Sequence, residues 1–449
     1  MKMKLLKMKL LKIIFLAVYV LVISFIVMPQ PCSADYDYIK ISDPFLNKIP
    51  VAVPVFKCLS EASAGKAISV TASDLVSGFL MFTGYFNMID REAFLEDLQV
   101  KGITGPQINF DNWMDISAEL LITGGITIND EHLQIEFRLF DTFKSELLFG
   151  KRYKGRQDDL RKIVLRFCSE MVYRLTGKRG VYESMIAFVS TTAGNKEIFT
   201  CEFDGYDVKQ ATHTNSLTLF PAWSPDGSSI AYTSYNNDQS EIFIKYLRDG
   251  TEKRISFTGM NITPVWMPGK KQMGATLSFE GDEEIYLLTE SGKIDKRLTK
   301  NWGIDVSPAF SPDGKKMAFV SNRFGSPQIF IQHLDTGIAK RLTYEGKYNT
   351  QPDWSPTGDR IVYSGMENGQ SNIFVINTDG RDLKQLTLDA GSNESPSWSP
   401  DGSLIVFSSS RTGKSRIFVM TASGTDQRVL LKLSGEQTDP TWSSSFKAY

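Results

Sequence analysis

Histidine and cysteine are scarce in this chain, three and four among 449 residues. So few ligating side chains leave little material for a metal cluster or a disulfide framework. A basic surplus is missing too: 50 Lys and Arg stand against 51 Asp and Glu, a net charge of -1. A dedicated nucleic-acid binder needs excess positive charge to neutralise phosphates, so that class is excluded. No Gly-x-Ser-x-Gly elbow occurs, which removes the nucleophile of α/β-hydrolases. The nearest string, Gly227-Ser228-Ser229-Ile230-Ala231, has copies reading Gly314-Lys315-Lys316 and Gly358-Asp359-Arg360. No glycine-rich phosphate loop follows a strand, and His132, His213 and His333 read as solvated or structural. With 42% hydrophobic and 22% charged residues, wholesale disorder and a collagen-like fibre are excluded. At about 150 residues per domain, length alone suggests about three domains. What is plentiful is punctuation. The 34 Gly and 18 Pro are scattered along the whole length, as many short elements joined by turns require.

Lys2, Lys4, Lys7, Lys9 and Lys12 precede an apolar run from Ile13 to Met28, which Pro29 and Pro31 break before Cys32-Ser33-Ala34. A basic stretch, an apolar stretch and a small residue at the end describe a secretory signal, cut after Ala34. The run has 16 residues, short of the ~20 needed to span a bilayer, so a retained anchor and membrane insertion of the mature chain are not expected. Removing residues 1–34 leaves 45 basic and 51 acidic residues, a net charge of -6. Cys58, Cys168 and Cys201 remain. They read as small buried hydrophobes, with a Cys58–Cys168 bridge left open.

Residues 35–180 alternate strands and helices and read as a small α/β domain. After a polar lead, Ile49 to Phe56 is a short apolar strand whose two prolines argue for an edge position or a strand end. Ala67 to Phe82 is helical in pattern with Gly84 as its stop. Phe86 to Asp90 reads as a strand and Arg91 to Leu98 as a second helix. Leu120 to Ile126 is a buried strand, followed by alternating strands at Leu133–Phe140 and Leu147–Tyr153. The helix Asp158 to Thr176 is clearest: Leu160, Ile163, Val164, Phe167, Met171, Val172 and Leu175 make one apolar stripe. Asp158 and Asp159 suit its start and Gly177 its end. Residues 178–183 look like a short linker.

From residue 184 to 449 one unit recurs. Pro221-Ala222-Trp223-Ser224-Pro225-Asp226-Gly227 returns as Pro308-Ala309-Phe310-Ser311-Pro312-Asp313-Gly314, then from Pro352 and from Pro396. Pro264-Val265-Trp266-Met267-Pro268-Gly269 is a degenerate copy and Pro440-Thr441-Trp442-Ser443 a truncated one. The first prolines lie 43, 44, 44, 44 and 44 residues apart. Each motif is followed by two alternating strands, a glycine turn and a short closing strand, and four strands per ~44 residues is a β-propeller blade. The aromatic fills the wedge between blades, and Ser-Pro-Asp-Gly supplies a tight turn. Ile186–Val189, Ile198–Thr200 and Gln210–Thr212 lack a first strand, which the C-terminal copy provides. The expected fold is therefore two-domain: a small α/β N-terminal domain, then a six-bladed all-β propeller latched by its C-terminal strand.

A ring offers one loop per blade at each channel mouth, the default binding surface. Residues just before each motif proline lead into the innermost strand and are expected to line one mouth. They include Thr218, Phe220, Asn261, Thr263, Asp305, Ser307, Thr350, Gln351, Asn393, Glu394 and Asp439. This polar, partly acidic set suits a protein or peptide partner. No catalytic residue, cofactor or metal ligand set is visible.

With this leader, a ~130-residue α/β domain and blades built on Pro-x-Trp-Ser-Pro-Asp-Gly, the chain resembles the TolB family of the Tol–Pal system. The most specific stretches are Ile49 to Phe56, Leu120 to Ile126, Leu175-Thr176-Gly177 leading into Ile186-Ala187-Phe188-Val189, and the blade motif. The resemblance implies a periplasmic, non-enzymatic adaptor, monomeric when free, without nucleic acid or cofactor. It implies that the propeller mouth binds the lipoprotein Pal through Asn261, Thr263, Asp305, Ser307, Thr350, Gln351, Asn393 and Glu394. It also implies that the N-terminal segment, residues 35–46, engages TolA through Asp35, Tyr36, Tyr38, Ile39 and Ile41. Pal binding would favour docking of that segment on the body, and the system would draw the outer membrane inward during division. Two readings of other classes stay open at this stage: an exported lactonase-like propeller enzyme, and a stand-alone peptide- or sugar-binding propeller.

Overall fold

The structure is a computed structural model that describes residues 48–60, 63–236, 239–367 and 369–444. The leader, the 35–46 segment and Cys32 lie outside the described residues. In the N-terminal region β1 (Ile49–Ala52) and β2 (Lys57–Cys58) precede helix α1 (Ser63–Phe82), and β3 (Phe86–Met88) follows it. Short helices α2 (Leu98–Lys101) and α3 (Phe110–Asp115) lead to the meander β4 (Leu120–Asn129), β5 (His132–Asp141) and β6 (Glu146–Arg156). Helix α4 (Leu160–Thr176) closes the region. The sheet runs β3-β1-β4-β5-β6, with β2 beside β4. Both faces of β4 are covered: Ile122 and Ile126 pack with α1 and α4, and Leu121 packs with Trp113 and Phe140. That explains its unbroken apolar run. At Gly124 a Cβ would stand 2.6 Å from Cγ of Phe56, so the close approach of that ring requires glycine.

Three expectations change here. First, β1 ends at Ala52, so Pro54 lies past the strand end as one alternative allowed, but the strand is interior and no edge, pairing in parallel with both β3 and β4. Pro50 is tolerated because it faces Glu119, one residue before β4 begins, and its carbonyl still accepts Glu119 N at 3.0 Å. Second, Arg91 to Leu98 is no helix, only a 3-10 turn at Arg91–Ala93 capped by Asp90. The buried Glu96 carboxylate accepts Trp113 Nε1 at 3.0 Å and Asn109 N at 3.2 Å, bonds that hold its segment extended against α3. Third, residues 178–183 are no plain linker, since Val181 and Tyr182 are buried. Helix α4 itself behaves as its stripe predicts, and Gly177 ends it in the left-handed region at φ 71°. Cys58, Cys168 and Cys201 are free thiols.

Six four-stranded antiparallel sheets follow. Their innermost strands are Leu217–Trp223, Asn261–Trp266, Asp305–Phe310, Tyr348–Trp354, Asn393–Trp398 and Gln437–Trp442, numbered blades 1 to 6. In blade 6 the C-terminal Gln437–Trp442 pairs with Met185–Ser190, so the two ends of the ring latch. The hydrophobic clusters lie between blades. Ile242 and Ile244 of blade 1 pack with Trp266 of blade 2, and Ile329 of blade 3 with Trp354 of blade 4. Trp354 Nε1 donates to Ala309 O of the preceding blade at 2.9 Å. Each wedge aromatic removes roughly 150–250 Å² from water, up to about 4–6 kcal/mol at ~25 cal/mol/Å². The turn works as its residue types require: Asp226 Oδ1 accepts Ser228 N at 3.1 Å and Ser224 Oγ at 2.7 Å, and Gly227 sits at φ 68°.

The N-terminal region and the propeller share one core, in which Phe203 of blade 6 meets Phe79, Phe82 and Tyr182. Arg161 of α4 binds Glu202 at 2.5 Å and Asp204 at 2.8 Å while lying over the Tyr206 ring at 4.0 Å. Arg428 Nη2 donates to Phe82 O at 2.6 Å. This seam keeps the N-terminal region fixed beside the ring.

Candidate functional site

Every innermost strand carries the same irregularity. Its register slips just before the motif proline, between Val306 and Ala309 in blade 3 and at the matching place in each other blade. The residue before the proline then adopts positive φ: Phe220 54°, Thr263 49°, Ser307 53°, Gln351 54°, Ser395 54° and Asp439 48°. Such a bulge sets two residues against one and re-aims the first. Non-glycine residues seldom occupy this region, and a bulky one such as Phe220 does so at a cost. These six residues and their prolines line the channel.

The channel wall is hydrogen-bonded along one arc. Gln351 Nε2 donates to Ser395 Oγ at 2.8 Å, and Ser395 Oγ donates to Asp439 Oδ1 at 3.0 Å. Burial pushes the Asp439 carboxyl above the ordinary range. Burial likewise pushes Asp353 up to about 6, although its carboxylate accepts Trp398 N at 2.8 Å and Trp354 N at 3.0 Å. Among the described residues no three His, Cys, Asp or Glu side chains gather where they could hold a metal ion.

The expected mouth residues divide by position. Thr263, Ser307 and Gln351 occupy the bulges and face the channel. Thr350 and Glu394, one residue earlier, line a cleft at the rim. Asn261, Asp305 and Asn393, three residues before their prolines, are buried instead. Asn261 Nδ2 donates to Phe257 O at 2.8 Å and Gly259 O at 2.9 Å. Asp305 Oδ2 binds Arg323 at 2.7 Å, and Asn393 Oδ1 accepts Arg411 Nη2 at 2.9 Å. These three hold the loops in place beneath the surface. Asp35, Tyr36, Tyr38, Ile39 and Ile41 fall outside the described residues. Sequence reasoning missed Ile304, Val306, Val320, Tyr348 and Met366, which wall the rim cleft of about 390 Å³. The available signal was an apolar pair, Ile304 and Val306, where blade 5 has Ser392 and Glu394. A second cavity of about 400 Å³ opens at the other end of the channel, ringed by the motif tryptophans and prolines. A hydrogen-bonded polar wall and an apolar cleft suit noncovalent recognition.

A family model described as "TolB beta propeller domain" matches residues 172–446, and one described as "TolB amino-terminal domain" matches residues 37–148. The Tol-Pal system protein TolB of Desulfosudis oleivorans is 52% identical over 284 residues, covering 63% of this chain and 65% of that protein. A TolB homolog of Chlorobaculum tepidum is 42% identical over 224 residues, half of each chain. The chain thus spans about half to two thirds of the length of the curated relatives it matches. The crystal structure of TolB from Acinetobacter baumannii superposes with a TM-score of 0.77 at 24% identity, covering 89% of this chain and 97% of that one. At that identity the likeness establishes the fold: an N-terminal α/β region followed by a six-bladed propeller.

Proposed function

The chain belongs to the TolB family, and from that premise we propose that it is a non-enzymatic periplasmic adaptor of the Tol–Pal system. Its propeller mouth binds the lipoprotein Pal, and its N-terminal segment, residues 35–46, binds TolA. The leader, residues 1–34, exports it, and the working protein divides into the α/β domain of residues 35–180 and the propeller of residues 184–449. The observation that carries this reading is the mouth itself: six bulged strands aim Phe220, Thr263, Ser307, Gln351, Ser395 and Asp439 into one channel. Thr263, Ser307, Thr350, Gln351 and Glu394 face the partner. Asn261, Asp305 and Asn393 position the loops that do so. Asp35, Tyr36, Tyr38, Ile39 and Ile41 form the second binding segment, which Pal binding withdraws from TolA. Through these two contacts the protein supports inward movement of the outer membrane at division.

The test is a pull-down of envelope proteins with residues 35–449 and again with residues 47–449. Pal should appear with both, and TolA should be lost or weakened with the shorter chain. Absence of Pal from both would sink the proposal.

A further inference from the structure

The mouth is not symmetric. Its rim cleft of about 390 Å³ is walled mainly by blades 3 and 4 and opens inward to the channel, where Phe220, Ser307 and Gln351 also line it. Ile304, Val306 and Val320 wall one side, Tyr348 and Met366 the other, and Thr350, Gln351 and Ser364 supply polar groups. The volume is at the low end of the roughly 300–1,000 Å³ of small-ligand sites, room for one or two large side chains. Ile304, Tyr348 and Met366 are 41%, 46% and 39% exposed, so the walls stand open to solvent. Neighbouring rim loops add Trp302, Phe324 and Tyr344, exposed by 87%, 71% and 73%. Scattered apolar residues on a surface mean little, but a contiguous group on one sector marks a docking surface.

Charged groups without ion-pair partners flank this sector on both sides. On the blade 2 side the rim hairpin carries Asp282 and Glu283, neither in an ion pair among the described residues, whereas Glu280 is matched by Arg297. On the side of blades 5 and 6 the rim carries Arg411, Lys414 and Lys432 beside the exposed acids Asp389, Glu394 and Glu436. None of these basic groups has a carboxylate partner among the described residues; Arg411 instead stacks on Phe418 at 4.6 Å and bonds Asn393, Ser409 and Gln427.

We propose that this cleft is the anchor point of the mouth, taking an aromatic or long aliphatic side chain from a protein partner. The partner presents basic groups toward Asp282 and Glu283 and acidic groups toward Lys414 and Lys432. Complementary potentials of this kind fix orientation and speed encounter more than they add affinity, while a desolvated apolar anchor carries most of the binding energy. The inference rests on the reading that the mouth binds Pal.

Titration of the soluble domain of Pal with the mature chain tests it. Tyr348→Ser and Met366→Ser should each weaken binding by about tenfold, chiefly through faster dissociation. Met260→Ser, on the rim between blades 1 and 2 and 37% exposed, should change it by less than about twofold. The double variant Lys414→Glu/Lys432→Glu should slow association at low salt, with the difference vanishing at high salt. Circular dichroism verifies that each variant folds. Wild-type-like binding by both cleft variants, or an equal loss with Met260→Ser, overturns the cleft while leaving the mouth reading intact. Failure of the wild-type chain to bind Pal removes that reading and this inference with it.

Discussion

Serine in place of Asp353 is expected to raise stability at neutral pH while leaving stability near pH 4 almost unchanged. The folded state holds the Asp353 carboxyl at about 6 against an ordinary value of 3.8, because the channel wall withdraws it from water. Below the lower value both states are protonated and the site is neutral to folding. Between the two values the folded chain keeps a proton the unfolded chain has lost, so stability falls as pH rises, and above about 6 the loss is complete. A shift of this size corresponds to about 3 kcal/mol at ~1.36 kcal/mol per unit, or about 2 kcal/mol after discounting for residual solvent screening. Serine does not orphan the Trp398 amide. In the next blade Ser397 occupies the equivalent position, and its Oγ accepts Trp442 N at 3.2 Å. Urea unfolding followed by tryptophan fluorescence at pH 4, 5, 6 and 7 gives the answer. The wild type should lose about 2 kcal/mol across this range relative to the variant. Parallel pH profiles for the two proteins would refute the assignment.

Removing the wedge at Trp354→Ala should cost about 3–5 kcal/mol, whereas Trp302→Ala, 87% exposed, should stay within about 0.5 kcal/mol in the same unfolding assay. Arg161→Ala leaves Glu202 and Asp204 facing each other without their cation at the seam between the N-terminal region and blade 6. It should cost about 2–3 kcal/mol, and Arg161→Lys should restore only part, since a single ammonium cannot bridge both carboxylates and stack on Tyr206. Deleting residues 437–449 removes the latch strand beside Met185–Ser190 and exposes a sheet edge. Size-exclusion chromatography should then show aggregation in place of the intact chain's peak.

The ring was legible because six imperfect copies of one unit report the same geometry independently. A wedge aromatic, a turn aspartate and a proline at one spacing leave few other folds. The N-terminal region has no such redundancy. Arg91 to Leu98 carries a helical pattern, yet Glu96 spends its carboxylate on Trp113 and Asn109, a long-range bond that no local pattern encodes. The two prolines signalled an edge or a strand end; Pro54 does follow the strand end, while Pro50 sits in an interior strand because the hydrogen bond it cannot donate would fall before β4 begins. At the mouth the loops were placed by their position before each proline, while the facing of individual residues was not. A left-handed residue such as Gln351 or Phe220 has no sequence signature, and neither does the burial of Asn261, Asp305 and Asn393 three residues before their prolines. The rim cleft needs side chains from separate blades, Val306 with Tyr348 and Met366, which only the closed ring brings together.

Hydrogen exchange of the mature chain with and without the soluble domain of Pal tests the central claim most directly. Mouth binding predicts protection in the rim segments 299–307, 343–351, 364–367 and 388–395, with the turns bearing Asp226, Asp313 and Asp401 at the other end of the channel unchanged. Protection at those turns, or none anywhere at saturating Pal, would contradict it.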